Sequence, residues 1–162
     1  MLPQIKTILY ATDLDAHAAK VFRYAVAMAQ AYEAKIILLT VMEPLTDTGE
    51  ALLRGAIPDE ELERYRKEGL TRAEQDLHAR IEAFCQAELG PDVHESDVIA
   101  ETRVVRGHPA QVIVDQAKTT GVDVIVMGMH SHSRFEQLFI GSEAHKVVNH
   151  SKTPVLLVPL DA

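Results

Sequence analysis

The spacing of hydrophobic residues alternates along the chain between a strand-like and a helix-like pattern. Ile5 to Ala11 is a short apolar segment with β-branched residues, which predicts a strand. Four later segments predict further strands: Lys35 to Met42, Val98 to Val105, Asp123 to Met127 and Val155 to Val158. The second strand contains an unbroken aliphatic run, which is typical of a strand buried on both faces. The third is partly polar, so we expect it near an edge of the sheet.

The first two strands are separated by a segment whose apolar residues recur at helical spacing: Ala18, Val21, Phe22, Ala25 and Ala29. Asp13 or Asp15 is predicted to cap the start of this helix. About Glu43 to Pro58, with its two prolines and two glycines, is predicted to be an irregular, mobile connection.

A long charged helix is predicted from Asp59, as its cap, to the Gly90-Pro91 pair. Its expected apolar stripe consists of Leu70, Ala73, Leu77, Ile81 and Phe84. A further helix follows Gly107-His108-Pro109, where Pro109 suits a first turn. A short last helix contains Val147 and Val148.

Strands that alternate with helices imply a parallel sheet whose strands are joined by right-handed crossovers. The predicted fold class is therefore α/β: an open, doubly wound, five-stranded parallel sheet with helices on both faces. One domain spanning residues 1–162 accounts for the whole pattern. The pattern leaves the order of the strands open.

Composition narrows the function. The formal net charge is −8, which disfavours nucleic-acid binding and means that an anionic ligand needs local donors. Cys85 is the only cysteine and is predicted to be a small core residue. There is no secretory signal pattern and no apolar run of about 20 residues, so a cytoplasmic protein without membrane contact is expected.

The candidate chemistry lies where strands end, because ligands of open parallel sheets bind beyond the carboxyl ends of the strands. Ala11-Thr12-Asp13 ends the first strand, and Met127-Gly128 ends the fourth. Gly128 would allow a ligand close to the backbone. Gly141-Ser142 opens the last helix, whose N-terminus would receive phosphate. The alternative is that Gly141 eases a loop and Ser142 caps the helix.

The segment from Gly128 resembles the nucleotide motif G-x2-G-x9-G-[ST] of the universal stress protein family. Gly128 and Gly141-Ser142 match it, whereas Ser131 stands where the second glycine is expected. The resemblance extends over nearly the whole chain, from Ile8–Asp13 to Thr153–Val158. It implies the adenine nucleotide alpha hydrolase-like fold of that family.

The resemblance also implies a ligand, which is ATP, with AMP or ADP as alternatives, and magnesium as a companion ion. Asp13 would hold the ribose, and the backbone of Val41 would meet the adenine; Ala11 and Thr12, which precede Asp13, are also expected to bind the ligand. Gly128 would lie nearby with Met127, and the phosphates would be lined by His130, Ser131, Gly141, Ser142, Glu143 and Ala144. If the family glycine at position 131 has a positive φ, serine costs on the order of 1 kcal/mol or more and weakens ATP binding.

The resemblance implies a stress-response regulatory protein that forms a homodimer through the last strand, Val155 to Val158. Two alternatives stay open: a nucleotide-free dimeric interaction protein, and a weak ATPase or phosphate transferase. The chain has no G-x-x-x-x-G-K-[ST] or G-x-S-x-G motif, so no dedicated catalytic activity is expected.

Four histidines cluster in the C-terminal part of the sequence: His130, His132, His145 and His150. Their spacing is unlike that of ordinary metal ligands, so phosphate contact or solvent exposure is predicted instead of a metal site. Asp13 and Asp123 are not expected to form a catalytic pair, because Asp123 precedes its strand and would lie at the opposite end of the sheet.

Overall fold

Five parallel strands form one sheet in a computed structural model that describes residues 1–129 and 140–160. The strands are β1 (Thr7–Ala11), β2 (Lys35–Met42), β3 (Ile99–Arg106), β4 (Val124–Met129) and β5 (Val155–Pro159). Their order is β3-β2-β1-β4-β5. The predicted α/β fold with five parallel strands is confirmed, and β3 lies at an edge, as its polar composition indicated.

The order of strands changes direction at β1, which pairs with β2 on one side and with β4 on the other. Leu9 lies opposite Ile37 of β2 and Ile125 of β4, so this strand forms the centre of the sheet. Such a switch point leaves a crevice at the carboxyl ends of the two neighbouring strands, where loops diverge to opposite faces.

Six helices accompany the sheet in the described residues: α1 (Ala18–Tyr32), α2 (Asp47–Ala56), α3 (Asp59–Leu89), α4 (Glu95–Val98), α5 (Pro109–Thr120) and α6 (Ser142–His150). Alternate residues of β1 point to opposite faces of the sheet. Ile8 and Tyr10 pack in the core beneath α1 and the end of α3. Leu9 and Ala11 pack beneath α5 and α6.

The prediction of an irregular connection from Glu43 to Pro58 was wrong, because α2 lies within it. The Thr46 hydroxyl accepts a hydrogen bond from the Gly49 amide (3.2 Å) and caps this helix. Arg66 of α3 donates to Glu50 at 2.6 Å and ties α2 to its neighbour. No residue of α2 is buried, and the two glycines in its sequence suggested a loop.

The expected stripe on α3 is correct only near its C-terminus. Ile81 and Cys85 are buried and Phe84 packs on the core, whereas Leu70 is exposed. Ala73 is also exposed, whereas Leu62, which the expected stripe did not include, is buried in the first turn of the helix. The helix begins after Pro58 as its N-cap, and Asp59 is its first residue rather than its cap.

Asp123 lies at the amino end of the sheet, as predicted, and therefore cannot pair with Asp13. One of its carboxylate oxygens, Oδ2, accepts the backbone N–H groups of Lys6 (2.7 Å) and Thr7 (2.9 Å). Its role is to fix the start of β1 beside β4. Among the helices of residues 1–129 and 140–160, none is both long and apolar enough to cross a bilayer.

Candidate functional site

A cavity of about 350 Å³ opens at the carboxyl ends of β1, β2 and β4. This volume is within the usual range of small-molecule pockets, roughly 300–1,000 Å³. The predicted binding residues in the described part of the chain all line it: Ala11, Thr12, Asp13, Val41, Met127, Gly128, Gly141, Ser142, Glu143 and Ala144. His130 and Ser131 lie outside the described residues. The fold therefore brings together, at the switch point, residues that are more than a hundred positions apart.

The loop after β1 is held by short side-chain turns. The Thr12 hydroxyl accepts the Leu14 amide at 3.0 Å, and Asp13 Oδ1 accepts the Asp15 amide at 3.1 Å. Leu14 has a φ of 59°, a left-handed conformation that is uncommon outside glycine. These bonds fix Asp13 at the rim of the cavity while its side chain stays exposed.

The prediction that Asp13 or Asp15 caps α1 was wrong. The N-cap is His17, whose side chain makes no capping hydrogen bond. Asp15 Oδ1 accepts the amide of His17 itself at 2.9 Å, one position before the first helical residue, Ala18. The two aspartates therefore shape the loop between strand and helix.

Tyr10 forms the floor of the cavity next to this loop. Its hydroxyl donates to the Ala18 carbonyl at 2.9 Å, which fastens the first turn of α1 to the sheet. Burial raises the pKa of the Tyr10 phenol well above its usual value, so the neutral donor form is favoured.

Gly128 is closely packed against neighbouring side chains. A Cβ at this position would lie 2.8 Å from Leu160 Cδ1 and 3.3 Å from Val21 Cγ2. The space that a side chain would take is thus already filled by two residues that also line the cavity. The sequence suggested ligand approach as the reason for this glycine, and the structure provides a second reason.

The N-terminus of α6 opens onto the cavity. Gly141 is its N-cap, so Ser142 is the first helical residue and does not cap the helix. The φ of Gly141 is −51°, which any residue can adopt. The first N–H groups of a helix lack partners within it and carry partial positive charge. They give this end of the cavity its capacity for an anion.

Glu143 joins α6 to α5. Its Oε2 accepts the backbone N–H of Ala110, in the first turn of α5, at 2.9 Å. Its Oε1 lies 3.4 Å from Lys146 Nζ on the outer side of the helix. The side chain is about half exposed, with 42% of its surface accessible.

The charged side chains among the described lining residues are all acidic: Asp13, Asp15, Glu43 and Glu143. His145 and His150, by contrast, are exposed and bond within α6, to Asn149 at 2.9 Å and to the Lys146 carbonyl at 2.8 Å. His132, like His130, lies outside the described residues. No group of three or more possible metal ligands occurs in residues 1–129 and 140–160.

Sequence reasoning missed several lining residues. Pro109 and Ile113 enter the cavity because α5 packs beside α6, and Leu160 enters because the chain continues past β5 over Gly128. The signal for Glu43 was available, since it directly follows the buried strand β2. The others depend on contacts between segments that are distant in the chain, which leave no local trace in sequence.

Comparison with known proteins finds relatives of nearly the whole chain. The model of the universal stress protein family matches residues 4–159. A universal stress protein of Thermus aquaticus is 34% identical over 154 residues, covering 94% of this chain and 98% of that protein.

Solved structures share the fold over nearly the whole chain. The structure of protein MJ0577 of Methanocaldococcus jannaschii superposes with a TM-score of 0.62 at 23% identity and covers 99% of each chain. A universal stress protein solved in complex with cAMP gives a TM-score of 0.58 at 19% identity. It covers 98% of this chain and all of that one. At such identities the superposition shows the fold.

Proposed function

This chain belongs to the universal stress protein family, and on that premise we propose that it is a regulatory protein that binds an adenine nucleotide in the cavity at the switch point. ATP is the proposed ligand, with AMP or ADP as alternatives and magnesium as a companion ion. Occupancy of the site would change a surface that partner proteins read.

One observation carries this proposal: the cavity joins a carboxylate after β1 to a helix N-terminus after β4. Asp13 is fixed at one rim of the cavity by the hydrogen bond that its Oδ1 accepts from the Asp15 amide, and the first turn of α6 lies at another rim. A ribose offers hydroxyl donors to a carboxylate, and a phosphate accepts N–H groups at a helix N-terminus. The solved relative in complex with cAMP supports the choice of an adenine nucleotide.

The predicted roles map onto the cavity as follows. Asp13 would bind the ribose, the backbone of Val41 the adenine edge, and Gly141 to Ala144 the phosphate. Tyr10, Leu39 and Met127 supply an apolar floor. Ser131 stays a prediction: its replacement by glycine should strengthen ATP binding if serine is the residue that limits it.

Isothermal titration with adenosine, AMP and ATP, with and without magnesium, tests the proposal. Analysis of nucleotide released from the denatured protein should find an adenine nucleotide in the wild type. Asp13→Asn should weaken all three ligands at least tenfold, about 1.4 kcal/mol, because the ribose is common to them. Asp76→Asn is the matched control, since Asp76 is exposed on α3 and does not line the cavity.

Absence of binding by all three ligands, with no nucleotide released from the purified protein, would reject nucleotide binding. It would favour the nucleotide-free interaction protein instead.

The proposed assembly is a homodimer through β5. This strand is at the edge of the sheet, and Val155, Leu156 and Leu157 are only partly buried. An apolar edge strand is a template for pairing with another chain, and the two flanking prolines limit the paired length. Light scattering at micromolar concentration should give the mass of a dimer; a monomer across the concentration range would reject this assembly.

A further inference from the structure

We propose that Glu143 makes the site discriminate among nucleotides by the negative charge of their phosphate group, favouring low charge or a phosphate neutralised by a divalent cation. This inference rests on the proposed function and deepens it. It concerns which phosphate group the cavity takes.

The first observation is the position of the Glu143 carboxylate. It is on the second residue of α6, in the turn that would receive phosphate, and it lines the cavity. Its Oε2 is hydrogen-bonded to the Ala110 amide at 2.9 Å, in the first turn of α5. A protein carboxylate therefore already occupies the anion-attracting end of α5. Of the two helix ends that Glu143 connects, the N-terminus of α6 is the one left to attract the ligand.

The second observation is the charge around the cavity. Its charged lining residues, within the part of the chain that the structure describes, are Asp13, Asp15, Glu43 and Glu143. The nearest cation shown for Glu143 is Lys146, whose Nζ is 3.4 Å from Oε1 and whose side chain is 58% exposed. An exposed ion pair of this kind compensates charge weakly. The carboxylate therefore repels a phosphate in the same turn, and each additional phosphate charge increases the repulsion.

The charge of Glu143 can be tested separately from its structural role, because that role is a hydrogen bond accepted from the Ala110 amide. A glutamine amide oxygen at position 143 can accept the same N–H group, so Glu143→Gln removes the charge and retains the connection between α5 and α6. Glu68→Gln provides a matched control, because it makes the same change in net charge at an exposed position on α3 away from the cavity.

The experiment is a titration of adenosine, AMP and magnesium-free ATP into the wild type, Glu143→Gln and Glu68→Gln at low ionic strength. For Glu143→Gln we expect an adenosine affinity within about twofold of wild type, a few-fold gain for AMP and roughly a tenfold gain for ATP. Magnesium should reduce the gain for ATP, and salt should reduce every gain. Glu68→Gln should bind like the wild type.

Lys146→Gln tests the opposite direction without touching the hydrogen bond to α5. Removing this cation should weaken magnesium-free ATP more than adenosine. If Glu143→Gln folds poorly in thermal unfolding, Lys146→Gln alone decides the outcome.

Equal changes for adenosine and ATP in Glu143→Gln would overturn the inference, because they would show a role in position only. Unchanged ATP affinity in a folded Glu143→Gln variant would also overturn it. If Glu143→Gln folds poorly, unchanged ATP affinity in Lys146→Gln would overturn it instead. Binding of none of the three ligands by the wild type or the variants would instead reject the proposed function, and this inference with it.

Discussion

Replacing Gly128 by alanine should destabilise the protein by packing, whether or not a ligand is present. The new Cβ would lie 2.8 Å from Leu160 Cδ1 and 3.3 Å from Val21 Cγ2. Carbon atoms in contact are about 3.5–4.0 Å apart, so Leu160 has to move or β4 has to shift. Overpacking of this kind costs roughly 1–3 kcal/mol.

A gain partly offsets this cost. Alanine has fewer unfolded conformations than glycine, which favours the variant by about 0.4–1 kcal/mol. We therefore expect a net loss of about 1–2 kcal/mol in the free energy of unfolding. For a chain of this size the melting temperature should fall by roughly 3–6 °C.

The Leu160→Ala background identifies the cause. Leu160→Ala alone should cost about 2 kcal/mol, at the low end for a buried leucine. In that background Gly128→Ala has room for its methyl group and should cost less than about 0.5 kcal/mol. The difference is a coupling of about 1 kcal/mol between the two positions, which a double-mutant cycle from urea unfolding can resolve.

Two results would refute this reasoning. One is a Gly128→Ala variant as stable as the wild type, and the other is the same cost with and without the Leu160 side chain. A variant of unchanged stability that loses adenosine binding would show that the glycine serves ligand approach only, as the sequence suggested.

Three further predictions concern stability elsewhere in the molecule. Asp123→Ala should lower the free energy of unfolding by about 1–3 kcal/mol in urea titrations, because two backbone N–H groups at the start of β1 lose their acceptor; Asp123→Asn, which keeps an acceptor, should lose less. Burial first, then the nearby acidic Glu95, raises the pKa of the Cys85 thiol from 9.0 to about 11. Stability from this group is therefore present below pH 9 and lost as pH rises towards 11, by about 2–3 kcal/mol, and Cys85→Ala should flatten that slope in reducing buffer. Arg66→Ala should speed amide hydrogen exchange in α2, whereas exposed Lys67→Ala should leave it unchanged.

A large part of the fold could be predicted from the sequence because burial leaves a pattern: a period where one face is buried and an unbroken apolar run where both faces are. Ile36 to Leu39 are all buried, and their unbroken aliphatic run shows it. The third strand is partly polar because a strand at the edge of a sheet is less completely buried, and β3 lies at an edge. The prediction failed for α2, because its two glycines suggested a loop; this helix has no buried residue.

The order of the strands was decided by tertiary structure alone. The sequence determined that strands alternate with helices, and its strand ends and helix start indicated Asp13, Gly128 and Ser142 as candidates for one site. That β1 lies between β2 and β4, which places these residues around one cavity, depends on pairing between segments far apart in the chain.

The same distinction applies to single residues. The sequence shows a glycine at position 128, but only packing shows that Leu160 and Val21 fill the space beside it. It shows a glutamate after Gly141-Ser142, but only the approach of α5 to α6 gives that carboxylate the Ala110 amide as a partner. Local sequence patterns indicate which faces are buried and where strands and helices begin and end. Contacts between distant segments arise from packing that no short stretch of sequence encodes.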